Sequence, residues 1–474
     1  MEVCQPLTIP ASSYCPAIET LQHRLSLLRQ SCQGLHWEDY ENELHNLMTL
    51  AEQEILSEDL QKLDVNEPSI EVKGTVYRRV AQNHQTYQSA AGPVRVKRTL
   101  YRSGSGSKCI VPLELRAGIV EGFWLPRAAK QAAWMVAQLP PTEVSSLLEL
   151  LGNMKPSAST LARLPAKLSE RWEQYLEPFE YILADNFQVP ANAVTVATSL
   201  DGAMLPMKDG KRQEKRDKGA AEGKRTRGPA GCQEASCGTL SFYDDLGNRL
   251  STIRMGRMPE SKKETLKQTI KNHLNKVLEQ KPGLTLVKVA DGAKDNWTYL
   301  SSELPEGHEI IDFYHAAEHL KKAFDLSYGE NSPKAKETFK TYRHILKEET
   351  GGIDKVIKAL AYQHKKHPRR SKLKTELEYF RKNSPRMKYA EHLSKSLPIG
   401  SGVIEAACKT LVTQRMKCSG MRWRNPGGQG ILTLRSLIQS DWFDKGWRLL
   451  SVTYRAKISG HNDNVIPFPN KVDP

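Results

Sequence analysis

Two β-rich apolar runs in this chain end in the same dipeptide. VTVATSL (194–200) leads into Asp201–Gly202, and LTLVKVA (284–290) leads into Asp291–Gly292. Short runs this rich in Val, Leu, Ala and Thr read as buried strands. An acid followed by glycine, directly after such a strand, puts a carboxylate at the sheet rim where the backbone can turn sharply. A single Asp of this kind also serves as a turn former or helix N-cap. Asp291 could cap a helix over 293–302, whereas no obvious helix follows Asp201.

The neighbouring segments extend the α/β pattern. GTLSFYDD (238–245) and RLSTIRMG (249–256) read as strands joined by the turn Asp245–Gly247. A helix over 261–280 precedes LTLVKVA, and EIIDF (309–313) leads into a helix over 315–325. Residues 332–395 read as helical and basic, with HKKHPRRSKLK in the middle.

A third acid stands in PIGSGVIEAACKTLVTQRMK (398–417), where Glu405 lies among Val403, Ile404, Ala406 and Ala407 on the first turns of a helix. A lone carboxylate in apolar company should cap, pair or hold a metal, because burying it unpaired is costly. A reciprocal capping box needs Ser or Thr three residues before Glu; Ser401 lies four before, and Gly402 occupies the required place. Three carboxylates at one rim would repel by several kcal/mol per pair, roughly, in a partly dry cleft. Divalent cations relieve this. Two Mg²⁺ ions about 4 Å apart can clamp the attacking and leaving oxygens of a phosphodiester.

The net charge of +15 over 474 residues points to a polyanionic partner, nucleic acid before an anionic membrane surface. With 39% hydrophobic and 26% charged residues the chain can bury a sizeable core in several units. No apolar run approaches the length of a membrane-spanning helix. The start, MEVCQPLTIPASSYC, has no basic segment followed by an apolar one, so no secretory signal is expected. The 8 cysteines are scattered; only Cys232 and Cys237 are close, and they read as reduced thiols, not half of a zinc site.

Upstream, residues 17–63 read as helical, with a stripe of Trp37, Tyr40, Leu44, Leu47, Ala51, Ile55 and Leu60 facing a core. VKGTVYRRV and GPVRVKRTLYR, within 72–102, read as strands. PTEVSSLLELLGNMKPSASTLARLPAKL (141–168) reads as two helices joined at Gly152–Lys155, the layout of a helix-turn-helix or of a plain helical hairpin, with Pro165 expected to interrupt or end the second helix. Residues 208–230 are basic and nearly free of large apolar side chains; they read as a loop, either a solvated linker or an arm that tracks phosphates. The expected fold is α/β: a mixed sheet flanked by helices, with N-terminal helical and β regions and an all-helical insertion. The segments are 1–110, 111–185 (possible helix-turn-helix), 186–325 (core), 326–396 (insertion), 397–450 (last core helix) and 451–474 (tail).

Taken in order, SLDGAMLPM (199–207), GTLSFYDDLGNRLSTIRMGRMPE (238–260), VADGAKDNW (289–297), DFYHAAEHL (312–320) and PIGSGVIEAACKTLVTQRMKCSGMRW (398–423) resemble bacterial insertion-sequence transposases of the ISKra type, related to the Mutator-like group. GPVRVKRTLYR is similar to the family as well. The resemblance implies an RNase H-like core and a DDE triad of Asp201, Asp291 and Glu405, about 90 and about 110 residues apart, the second gap wide enough for an inserted domain. It implies Mg²⁺ (two ions, or Mn²⁺) held by these three, DNA as element ends and target, a homo-oligomer, and a bacterial cytoplasmic, nucleoid-associated location. DFYHAAEHL resembles the group's Asp-x-x-His signature, giving Asp312 and His315 an auxiliary role; the lesser alternative for His315 is a satisfied helix histidine. Arg415, Lys417, Arg422, Trp423 and Arg424 combine cations for phosphates with an aromatic face for a base, although Trp423 could instead pack in the core. A catalytically silent DNA-binding descendant and a nuclease that never joins strands are the rival readings.

Overall fold

The computed structural model describes residues 16–31, 36–104, 106–152, 154–208, 218–224 and 231–459. The readings made of residues 1–15, of most of the basic run 208–230 and of the tail from 460 lie outside them. The chain gathers into two compact units, one formed by residues up to Leu164 with those from Trp447 onward, the other by Pro165–Gly446. No helix among the described residues is long and apolar enough to cross a membrane.

The first unit opens with α1 (Pro16–Ser31) and α2 (Trp37–Lys62). The apolar stripe of α2 is only partly a core face: Ala51 and Leu60 are buried, but Trp37 is 72% exposed. The buried end of α2 lies against the sheet, where Leu60 joins Tyr87, Val94 and Val96 in one apolar cluster. That sheet comprises β1 (Ser69–Val72), β2 (Thr75–Ser89), β3 (Gly92–Arg102) and the short strand Ile458–Ser459. Its order is β3-β2-β1 followed by the short strand, and its pairs are antiparallel. Helices α3 (Pro112–Ala117), α4 (Pro126–Gln138) and α5 (Pro141–Leu150) follow.

The division falls inside α6 (Ala158–Gln174), which runs through Pro165 instead of stopping there. A proline inside a helix costs about 3 kcal/mol. Leu161, Leu164, Leu168 and Trp172 are all buried along one face, and each large apolar side chain returns about 1.5–3 kcal/mol. Packing therefore outweighs the lost backbone bond.

The second unit is built on a five-stranded sheet of β4 (Thr195–Pro206), β5 (Cys232–Tyr243), β6 (Arg249–Arg257), β7 (Thr285–Ala290) and β8 (His308–Ile311), in the order β6-β5-β4-β7-β8. The first three strands pair antiparallel, and β4-β7 and β7-β8 pair parallel. A three-strand meander continued by two parallel strands, with helices between them, is an RNase H-like sheet. Before it runs α7 (Leu176–Asp185); α8 (Glu264–Gln280) and α9 (Lys294–Ser302) supply the crossovers, and α10 (Phe313–Tyr328) follows β8. Next come α11 (Pro333–Glu348), α12 (Gly352–Lys366), α13 (Ser371–Asn383) and α14 (Tyr389–Leu393), the expected helical insertion. The chain then returns to the sheet as α15 (Gly402–Ala407), a wide π-helical turn (Cys408–Thr413) and a last turn (Gln414–Met416), before α16 (Asn425–Gln439).

One apolar cluster fixes α15 on the sheet. Leu205, Ala235 and Cys237 from the β4–β5 arm meet Ile404, Ala407, Cys408 and Leu411. A π-turn spoils the regular carbonyl partners of its neighbours. Here the buried Arg435 of α16 takes the Thr410 and Leu411 carbonyls, its Nε 3.1 Å from each.

Candidate active site

The parallel register of β4 and β7 sets the first two acids. Thr195 lies opposite Thr285 and Ser199 opposite Val289. Two residues further along in each case stand Asp201, still within β4, and Asp291, just past the end of β7 at Ala290. The Asp291 charge is felt at Asp201. Together with burial, the larger cause, it raises the Asp201 carboxyl above its ordinary range; the Gly202 N–H and Lys263 act in the opposite direction.

The sharp turn expected directly after Asp201 is absent. The backbone does not turn at Gly202, because β4 continues to Pro206 paired with β5. Only the parallel pairing with β7 stops before Asp201. Gly202 serves close approach instead: a Cβ there would sit 2.1 Å from Glu234 Oε1. Glu234, paired with Lys263 at 2.7 Å, is thereby a further acid beside Asp201. At the other aspartate the strand does end, at Ala290. Asp291 Oδ1 accepts the N–H of Ala293 at 3.0 Å and the Asn296 amide at 3.3 Å, so it also braces the entry to α9.

Glu405 is not buried. Ile404 and Ala407 face the core, while Glu405 and Ala406 are exposed. Its carboxylate therefore escapes the desolvation cost that its sequence neighbours suggest. The reciprocal capping box is absent, and Ser401 Oγ donates to Glu405 Oε1 at 2.8 Å. One helical turn on, the Cys408 thiol donates to Asp201 Oδ2 at 3.8 Å. The helix bearing Glu405 is thus in direct contact with the first aspartate. Cys237, the cross-strand partner of Asp201, also hydrogen-bonds with Cys408, which together with burial holds the Cys408 thiol well above its ordinary pKa.

Asp312 is buried and caps α10, accepting the His315 N–H at 2.6 Å on Oδ1 and the Ser401 N–H on Oδ2. It is a tie between the end of β8 and the start of the Glu405 helix, and through Ser401 it reaches Glu405 itself. His315 is half-buried, 3.9 Å from Glu318 and edge-on to His319. His319 in turn stacks on Tyr379, and its Nδ1 lies 2.6 Å from the buried Glu376.

The expected DNA-binding group divides. Lys417, Arg422 and Arg424 are exposed. Arg415 is only 2% exposed, its guanidinium held 5.6 Å over the Trp423 ring and against the Met421 sulfur. Trp423 is half-buried against the α15 cluster, donates Nε1–H to the Met416 carbonyl at 2.8 Å, and joins its backbone to the β4 arm beside Lys208. Cys408, Glu234, Lys263 and Tyr379 belong to this region without having been singled out in the sequence, where Cys237 reads only as a reduced thiol and Ser401 only as a residue out of place for a capping box. The strands read from the sequence stop at Leu200 and begin at Gly238, so the pairing of Asp201 with Cys237 appears only in the structure.

Among the described residues no three His, Cys, Asp or Glu side chains stand close enough, as placed, to hold a metal ion. The Asp201–Asp291 pair nonetheless has the right chemistry for a hard divalent cation: oxygen donors, like charge and partial burial.

No family model matches the chain, and no curated protein matches it. Among solved structures it is similar to a chain of the Drosophila P element transposase strand transfer complex, with 13% identity, a TM-score of 0.25, and coverage of 70% of this chain and 83% of that one. A likeness of that size carries no argument here.

Proposed function

We propose that this chain is a DDE transposase that cuts DNA at the ends of an insertion sequence and joins the freed 3′ ends to target DNA. One observation carries the reading: Asp201, on β4 just past its parallel pairing with β7, and Asp291, just past the end of β7, are near enough for one charge to act on the other, with the Glu405 helix against Asp201 through Cys408. The motif resemblance over most of the chain supports the same triad.

Asp201 and Asp291 would hold divalent metal, Mg²⁺ or Mn²⁺, and Glu405 would complete the set by turning from Ser401. Such ions supply charge neutralisation and an activated oxygen nucleophile for phosphodiester displacement. The chain's own side chains do the rest. Cys408 holds Asp201, and Asp312 with Ser401 fixes the turn that carries Glu405. Lys417, Arg422 and Arg424 offer exposed cations for phosphates, and the exposed Arg163 of α6 suits the helix-turn-helix role. Arg415 serves by holding Trp423.

The test is cleavage of DNA carrying the sequences that flank the coding region. Asp201→Asn, Asp291→Asn and Glu405→Gln each abolish cleavage and strand transfer and leave DNA affinity within about threefold, a difference of less than 1 kcal/mol. Variants that cut at the wild-type rate exclude the assignment. The exposed, Ser401-bonded Glu405 favours the silent DNA-binding reading, and a wild-type chain that binds but never cuts with Mg²⁺ or Mn²⁺ selects it.

A further inference from the structure

The phenol of Tyr379 is out of place as a purely structural group. Tyr379 lies on α13, in the helical insertion, yet its ring packs onto the backbone beside Asp291: a Cβ on Gly292 would sit 2.6 Å from Tyr379 Cε2 and 3.3 Å from its Oη. The ring is clamped from the other side by His319, at 3.8 Å between centroids and 16° between planes. His319 is itself held by Glu376. So placed, the hydroxyl is buried and has no hydrogen-bond partner. A buried hydroxyl left unpaired costs roughly 1–3 kcal/mol. Phenylalanine would fill the same space without that cost.

The carboxylates whose charge acts on this phenol are those of Asp291, Asp312 and Glu376. Asp312 already receives a donor on each oxygen, from His315 and Ser401. Glu376 likewise receives His319 on Oε2 and Lys322 on Oε1. The donors to Asp291 fall on Oδ1. Each carboxylate oxygen can accept two donors, so neither Asp312 nor Glu376 is closed to the phenol. The Asp291 charge, however, acts on it most strongly of the three, and with these two donors on Oδ1, Oδ2 of Asp291 is left to accept a hydrogen bond from Tyr379.

We propose that Tyr379 is a positioning residue for Asp291: its Oη–H donates to the second carboxylate oxygen when Asp291 turns to bind metal, and fixes the orientation in which it does so. The inference rests on the transposase reading of the site. It gives the insertion a direct part in building the metal site, because Asp291 is oriented only when α13 is docked on Gly292. Partners of metal ligands at this remove typically tune affinity or activity 10–100-fold, roughly.

The experiment compares full-length wild type, Tyr379→Phe and Asp291→Asn for Mn²⁺ binding by titration calorimetry, for thermal midpoint without metal, and for the Mn²⁺ concentration that half-saturates DNA cleavage. For Tyr379→Phe the expected results are about 10-fold weaker Mn²⁺ binding, a matching rise in the half-saturating Mn²⁺, and a metal-free midpoint equal to or above wild type. A wild-type Mn²⁺ affinity in Tyr379→Phe overturns the proposal while Asp291→Asn binds weakly. A lowered metal-free midpoint with unchanged affinity also overturns it, since the hydroxyl would then be structural. If Asp291→Asn itself binds Mn²⁺ like wild type, the metal site and the transposase reading fail together with it.

Discussion

Asp201 carries the largest conflict between stability and use. Burial raises its folded-state pKa above its unfolded value, with the Asp291 charge adding to this. An acid shifted in that direction favours folding below its unfolded pKa, and that contribution is lost as pH rises through the folded pKa. At neutral pH without metal, Asp201→Asn should therefore melt at or above the wild-type temperature. The gap should close below the ordinary aspartate range. Adding divalent metal should reverse the order, because binding at 100 times Kd stabilises the wild type by about 2.7 kcal/mol and leaves the variant unmoved. Calorimetry at pH 7 and at acid pH, with and without Mg²⁺, measures both effects. A variant less stable than wild type without metal contradicts the electrostatic account of Asp201.

At the scale of elements, the return of the chain to the sheet after the helical insertion hangs on Asp312. Its two accepted N–H groups join α10 to the segment entering α15. Hydrogen bonds to a charged, buried acceptor contribute about 1.5–3 kcal/mol. Asp312→Asn turns an amide NH₂ toward one donor, so it should cost about 2 kcal/mol in urea unfolding, and the same variant should lose cleavage because Glu405 is no longer placed. A variant of unchanged stability would exclude the tie. Much of this scale was legible beforehand. The strand-Asp-Gly runs, the 238–256 hairpin and the Glu405 helix come from apolar periodicity and turn chemistry, which are local. The extension of β4 past Asp201 was not legible, since Ala203, Met204 and Leu205 extend only because β5 pairs with them. Gly202 and Gly292 read as turn formers and prove to be places of close approach, to Glu234 and Tyr379. Arg415 was misread by type. Its position continues the stripe of Ile404, Cys408 and Leu411, and that periodicity was the better guide.

For the whole molecule the net charge of +15 sets the expectation of salt-dependent DNA binding. Each phosphate contact contributes about 0.9 to the slope of log K against log salt. Replacing the exposed Arg422 and Arg424 together by alanine should lower that slope by about 2. Arg415→Ala should leave the slope unchanged and lower the melting temperature, because its guanidinium packs on Trp423. Fluorescence anisotropy over a salt series separates the two outcomes, and equal slopes for all three proteins would remove 422–424 from the DNA surface.

The central claim is convergence: three acids distant along the chain share one divalent site. Loading the protein with Fe²⁺ in place of Mg²⁺ and generating hydroxyl radicals with ascorbate and peroxide cuts the backbone next to bound metal. Mass spectrometry of the fragments should find cuts beside Asp201, beside Asp291 and within Gly402–Ala407, all lost in Asp201→Asn. Cuts confined to one of these segments, or a pattern that survives Asp201→Asn, would contradict the account.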